Sequence, residues 1–251
     1  MIELIEQSKQ SELVAVVLAA GKGTRMGSDL PKVLHTLHNE PLVVHPIRAA
    51  RRAGAGLVVV VVGHGAAEVE AALVGAPGLR FALQAEQRGT GHAVLCALPA
   101  IAEHGGDVLI LSGDVPRLRA GTLRALASAC RESPGGLALA SFTPIDATGY
   151  GRVVRDEQGR VLAIVEERDA SPEQRRILEC NAGVYCASAE LLRRELPRLG
   201  SSNAQGEIYL TDLVAVAAGQ GVTALSVPAD EVAGVNTREQ LAALAALPPV
   251  E

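Results

Sequence analysis

The sequence predicts an α/β fold of three layers, a mostly parallel mixed sheet with helices on both faces. Three observations predict it. The runs LVAVVLAAG (13–21), LVVVVVG (57–63) and DVLILSGD (107–114) are apolar at nearly every position, as strands covered on both sides must be. Helical patterns separate these runs, and a strand, a crossover helix and the next strand leave the two strands parallel. Glycines and polar residues then gather just after the strands, in AAGKGTR, GHG, LQAEQRGTG and SGDVP, where open α/β sheets bind their ligands.

Taken in order, the first strand is followed by PLVVHPIRAARRAG, a helix from Pro41 closed by Gly54. The second strand leads into the helical pattern AAEVEAAL, and RFALQ reads as a short third strand before a helix in GTGHAVLCALPAIAEHG. The run from Asp107 is the fourth strand, with GTLRALASACRE as its helix. Beyond it the pattern changes. GLALASFTPI, YGRVVRD and RVLAIVEER read as strands of a hairpin region turned by DEQGR. ECNAGVYCAS is one more strand, SAELLRREL a helix, EIYLTDLVAVAAGQG a helix throughout, and VTALSV a strand. TREQLAALAAL is a terminal helix whose Thr237 and Gln240 have capping-box spacing.

Composition bounds what such a fold can do. At 251 residues, 48% of them hydrophobic, one domain spanning 1–251 has ample core without disulfides. A net charge of −5, no Trp, two Phe and three Tyr argue against nucleic-acid binding, which draws on basic surface and aromatic platforms. Cys96, Cys130, Cys180 and Cys186 lack metal or redox spacing and read as reduced, mostly buried residues. His35 and His38 lack the separation of a helical metal pair. The opening MIELIEQSKQ is not a signal peptide, and the run Leu57 to Val62 is far short of the roughly 20 residues that span a bilayer. The expectation is a soluble cytoplasmic protein with no membrane partner.

The segment LAAGKGTRMGSDLPK, Leu18 to Lys32, combines glycines with Lys and Arg directly after the first strand. Exposed amides and cations together suit phosphate oxygens. A P-loop is excluded, because Gly27 is followed by Ser28 instead of a lysine. A dinucleotide fingerprint is disfavoured too: the third glycine is displaced, and the second strand ends in Gly63-His64 with no carboxylate for a ribose.

LAAGKGTRM followed by LPKVLH resembles the signature of the sugar-phosphate nucleotidyltransferases. LQAEQRGTGHA, SGDVP, TGYGR, VEERDA, CNAG, SNAQGEIYLTD and GVN, in that order, resemble the uridylyltransferase domain of the N-acetylglucosamine-1-phosphate uridylyltransferases. The resemblance implies a Rossmann-like three-layer nucleotidyltransferase fold with a nucleotide-binding half (about 13–115), a small β-rich sugar-binding half (about 116–237) and a terminal helix and tail (238–251). It implies transfer of a uridylyl group from UTP to N-acetylglucosamine 1-phosphate. Leu18, Ala19, Ala20 and Gly21 would hold the nucleotide, Arg25 and Lys32 would neutralise its phosphates, and Gln84 with the Gly89-Thr90 turn would read uracil. Gln87 is a softer candidate, and Lys22 and Thr24 are less specific, since either also reads as loop surface. Mg²⁺ would be held by Asp114 and the amide oxygen of Asn236. Gly113, Gly151, Glu166, Asn181, Tyr209 and Thr211 would line the sugar.

Three positions depart from the family pattern: Ala182 stands where a threonine is usual, Ser112 where a tyrosine is common, and Ala233 where a glutamate is common. These loosen the sugar assignment, leaving glucose or galactosamine 1-phosphate open. No hexapeptide repeat follows Asn236, so the expectation includes neither a β-helix acetyltransferase activity nor a trimer built by one. Two alternatives stay open at this stage. One is a different sugar-1-phosphate uridylyl-, cytidylyl- or thymidylyltransferase. The other is a catalytically silent relative that binds a sugar nucleotide as a sensor or regulatory subunit.

Overall fold

Side chains alternate across a strand, so a strand apolar at every position needs cover on both faces. In the computed structural model, which describes residues 12–250, strand β1 (Leu13–Leu18) behaves this way. Ala15 and Val17 enter one apolar cluster while Val14 and Val16 enter a second on the opposite face. The opening segment MIELIEQSKQ lies outside the described residues, as does Glu251.

Between β1 and the next sheet strand lie a two-stranded hairpin, β2 (Thr36–Leu37) and β3 (Glu40–Pro41), and helix α1 (Val44–Arg52). Its turn residues His38 and Asn39 have φ of 50° and 66°, the left-handed pair that a tight two-residue hairpin demands. This hairpin was not foreseen, and it displaces the helix start from Pro41 to Val44. There follow β4 (Leu57–Val62), α2 (Ala66–Ala72), β5 (Leu79–Leu83), α3 (Thr90–Ala97), β6 (Asp107–Ser112) and α4 (Ala120–Glu132). The second half adds β7 (Leu137–Phe142), β8 (Arg152–Arg155), β9 (Val161–Val165), β10 (Cys180–Ser188), α5 (Ala189–Glu195), α6 (Asp212–Ala218), β11 (Thr223–Ser226) and α7 (Arg238–Ala245).

The main sheet runs β11-β7-β10-β6-β1-β4-β5, with the β8–β9 hairpin attached through β10. β6, β1, β4 and β5 are parallel to one another, as are β7 and β11, and β10 runs antiparallel between β6 and β7. Helices cover both faces: Ile47 of α1, Val69 of α2 and Leu123 of α4 pack on one side. Val94 of α3, Leu192 of α5 and Leu213 of α6 pack on the other. The predicted three-layer, mostly parallel mixed sheet is the observed one.

One predicted element is corrected. The helix expected from Glu207 begins only at Asp212. The backbone of 208–210 is spent elsewhere: Ile208 N–H donates to Arg88 O (2.8 Å), Gly91 N–H to Ile208 O (2.8 Å), and Leu210 N–H to Thr90 Oγ1 (3.1 Å). These long-range bonds outweigh the helical propensity of the segment. The strand through ECNAGVYCAS also carries an irregularity between Asn181 and Tyr185, where Gly183 sits at φ 69°. Among the described residues no helix is long and apolar enough to cross a membrane.

Candidate active site

The carboxyl ends of β1, β5 and β6 open into a cleft of about 270 Å³, where the topology rule places a ligand. Leu18, Ala19, Ala20, Gly21, Lys32, Gln84, Gly89, Thr90 and Asp114 all line it, with Gln87, Ser112 and Glu207 beside them. Gly113 belongs to the same rim; its N–H donates to Leu18 O (2.9 Å), and a Cβ there would stand 2.9 Å from that carbonyl. The two strand ends therefore touch only because position 113 lacks a side chain.

Four predicted residues converge at one point. Lys32 Nζ donates to Asp114 Oδ2 and, at 3.1 Å, to Asn236 Oδ1, which also accepts from Arg25 Nη2 at 2.9 Å. The chain brings them together by local devices. Pro31 (φ −49°) starts the 3₁₀ turn Lys32–Leu34, and Gly23 at φ 61° lies so close to Lys32 that any Cβ would collide with it. Val235 N–H donates to Asp114 O at 2.9 Å, tying the GVN segment to the end of β6. Asn236 N–H in turn donates to Gln240 Oε1 (2.7 Å) at the start of α7, where the predicted capping box is formed. Arg238 reaches back to the carbonyls of Met26 and Gly27. Gln240 and Arg238 were not singled out from sequence; only the capping spacing pointed at the first of them.

Gln84 is 3% exposed, and its Nε2 donates to Gly89 O (3.0 Å) and to His92 Nδ1 (3.2 Å). Gly89 holds φ 101° and would place a Cβ 2.5 Å from Ile208 O, so the turn beside Gln84 admits glycine alone. His92 is a further residue missed by the sequence reading.

The predicted sugar residues form a second, adjoining group. Thr211 Oγ1 donates to Glu166 Oε1 (3.1 Å), and a Cβ on Gly151 would lie 3.4 Å from Glu166 Oε2. Burial pushes the Glu166 carboxyl above its ordinary range against the pull of that Thr211 bond, with Asp169 and Asp212 adding to the rise. Asn181 N–H donates to Gly151 O (2.8 Å), which docks β10 on the loop before β8. Its side chain, expected to meet sugar groups, also bonds within its own strand: Nδ2 donates to Tyr185 Oη (2.6 Å) and Oδ1 accepts from Gly183 N–H (3.0 Å). Tyr209 is buried. Ser112 links the two groups, its hydroxyl facing Gly183 O at 3.5 Å.

Comparison with known proteins shows the family and the fold. The chain is 53% identical over 237 residues to the bifunctional protein GlmU of Anaeromyxobacter dehalogenans (strain 2CP-C), covering 93% of this chain and 49% of that one. It is 51% identical over 233 residues to the protein of the same name from Pelobacter propionicus, covering 92% and 51%. The chain thus spans about half the length of the curated relatives it matches. In fold it is similar to a UDP-glucose pyrophosphorylase crystallised with UDP-glucose, with a TM-score of 0.76, 18% identity, and coverage of 92% of this chain and 96% of that one. The family model for the MobA-like NTP transferase domain matches residues 15–203, and the chain belongs to that family.

Proposed function

We propose that this chain transfers the uridylyl group of UTP to N-acetylglucosamine 1-phosphate, giving UDP-N-acetylglucosamine and pyrophosphate, as a cytoplasmic, Mg²⁺-dependent step of cell-envelope precursor synthesis. The observation that carries the proposal is the convergence of Arg25, Lys32, Asp114 and Asn236 at one corner of the cleft. Two cations and two hard oxygen donors meet there, beside a glycine loop with open amides.

The reaction asks little covalent work of the protein. A phosphate oxygen of the sugar attacks the α-phosphorus, a new O–P bond forms, and the bond to the β-phosphate oxygen breaks with its electron pair leaving on pyrophosphate. Positioning and charge neutralisation carry the rate. The amides around Gly21 hold phosphate oxygens, and Arg25 and Lys32 offset the charge that gathers when two anions approach each other.

The residues present fit a magnesium ion. Asp114 Oδ2 and Asn236 Oδ1 both face one point, marked by Lys32 Nζ, which bonds to each of them. A carboxylate and an amide oxygen are the sparse donor set Mg²⁺ accepts when phosphates and water complete its shell. Bound there, the ion would supply Lewis-acid stabilisation of phosphate charge.

Both donors of the Gln84 amide are used within the protein, and no described residue donates to its Oε1. An acceptor in the cleft suits the N3–H of uracil and opposes the N3 acceptor of cytosine. On the sugar side, Glu166 positioned by Thr211 offers oxygens to hydroxyl groups.

Pyrophosphate release measured with UTP, CTP and dTTP against N-acetylglucosamine, glucose and galactosamine 1-phosphates tests the proposal. Turnover is expected with UTP and N-acetylglucosamine 1-phosphate and only with a divalent cation. Turnover confined to CTP would overturn the uridylyl assignment, and tight UDP-sugar binding with no turnover in Mg²⁺ would overturn the catalytic one.

A further inference from the structure

The geometry points to His92 as a positioning residue that decides which nucleotide base the cleft accepts, by fixing the orientation of the Gln84 amide. The inference rests on the uridylyl reading above and extends it to a residue that touches no substrate.

An amide side chain fills the same volume in either orientation, so its neighbours decide whether oxygen or nitrogen faces a ligand. Two neighbours decide here. Gly89 O accepts from Gln84 Nε2 at 3.0 Å, and His92 Nδ1 lies 3.2 Å from the same nitrogen. An amide nitrogen only donates, so His92 Nδ1 is the acceptor, and the neutral ring carries its proton on Nε2. That nitrogen lies 3.8 Å from Cys96 Sγ, one turn further along α3, a weak acceptor placed where the proton points.

The consequence is electronic selection. With both amide hydrogens held by Gly89 and His92, the oxygen is left for the cleft, where it meets the uracil N3–H. Cytosine presents a bare N3 at the same edge, and oxygen against nitrogen lone pair is repulsive. Without His92 the amide keeps one anchor instead of two. Turned over, it presents its N–H groups to the base and so accepts cytosine. Loss of one ordinary hydrogen bond's worth of preference corresponds to about fivefold in selectivity.

The test uses the whole chain. His92→Leu removes the acceptor, and His92→Asn offers an Oδ1 in the place of Nδ1. In pyrophosphate-release kinetics with N-acetylglucosamine 1-phosphate, His92→Leu is expected to lower the UTP-to-CTP ratio of kcat/KM about fivefold, through KM for UTP and not kcat. His92→Asn is expected to recover most of it. A folded His92→Leu protein with the wild-type ratio would overturn the inference while leaving the uridylyl reading intact. Wild-type enzyme with no preference for UTP over CTP would overturn both. Should His92→Leu fail to fold, the ¹⁵N spectrum of the wild-type imidazole decides: a proton on Nε2 supports the arrangement, and a proton on Nδ1 overturns it.

Discussion

A methyl group added at Gly21 separates what the protein needs from what its ligand needs. Gly21 is exposed on the rim of the cleft, its φ lies outside the left-handed region, and a Cβ built there meets no protein atom within 4 Å. The fold therefore has no reason to object: Gly21→Ala is expected to change stability by less than about 0.5 kcal/mol, as surface substitutions do. The empty volume beside Gly21 is the place assigned to the phosphates. A phosphate held by a backbone amide makes a charge-assisted hydrogen bond worth about 1.5–3 kcal/mol, and each 1.4 kcal/mol is tenfold in affinity. Displacing that contact should raise the Kd for UTP by about 10- to 100-fold. Gly89→Ala supplies the contrast, because its Cβ would stand 2.5 Å from Ile208 O at φ 101°, so both stability and binding should fall. Calorimetric melting and isothermal titration with UTP read the two quantities independently. Unchanged UTP affinity in a Gly21→Ala protein of unchanged Tm would refute the placement of the nucleotide on this loop.

Three further outcomes are expected. Asp114→Asn keeps the shape of the cluster but removes the charge facing Lys32, and should lower kcat by on the order of 10²-fold while shifting the Mg²⁺ requirement upward in a rate titration. Retained rate with retained Mg²⁺ dependence would show that Asp114 is no ligand. Glu166→Gln should raise Tm near neutral pH, because burial holds the wild-type carboxyl above its ordinary pKa. The folded state then binds its proton more tightly than the unfolded chain, so the stability this gives wild type is complete below the unfolded pKa and lost as pH rises through the folded one. The gain from Gln should accordingly shrink in melts run at acid pH, and the substitution should weaken the sugar phosphate. Gln240→Ala removes the acceptor for Asn236 N–H and half of the capping box, costing about 0.5–2 kcal/mol. It should also raise the Mg²⁺ requirement, although Gln240 touches neither ion nor substrate. A Tm loss without any change in the Mg²⁺ titration would count against that coupling.

The parts of this molecule legible in its sequence are those written in short-range pattern. Runs such as LVVVVV declare a strand covered on both faces by their own composition, and Thr237 with Gln240 declares a helix start three residues apart. Glu207 to Thr211 could not be read this way. Nothing within that segment says that the carbonyl of Arg88 and the hydroxyl of Thr90 will take its N–H groups, and without that knowledge it continues naturally into α6. Asn181 shows the same limit on the scale of one side chain. Its identity suits a sugar contact, but nothing in the neighbouring residues says that the irregular strand around Gly183 also gives its amide partners in Gly183 and Tyr185. The left-handed pair His38-Asn39 lacks the glycine that usually marks such a turn, so the small hairpin it closes went unseen.

That hairpin has a bearing on the site. Leu37 of β2 and Leu42, just past β3, pack with Met26, Val235 and Leu244 in an apolar cluster separate from the two that cover the main sheet. Met26 directly follows Arg25, Val235 directly precedes Asn236, and Leu244 belongs to α7, so one small core fixes the cationic loop and the Asn236 amide against each other. Two positive side chains brought to one corner repel; the part-buried pairing of Lys32 with Asp114 offsets some of this, whereas the bond from Arg25 to Asn236 is exposed to solvent at the mouth of the cleft and contributes little by itself. Burial of a side chain the size of leucine or methionine contributes roughly 1.5–3 kcal/mol. Several such side chains are enough to hold the corner together without a ligand to neutralise it. Arg238, donating to the carbonyls of Met26 and Gly27, adds a polar tie along the same line. The site is thus pre-organised from 3₁₀ turn to terminal helix, across more than 200 residues of sequence, by apolar contacts that no phosphate ever touches.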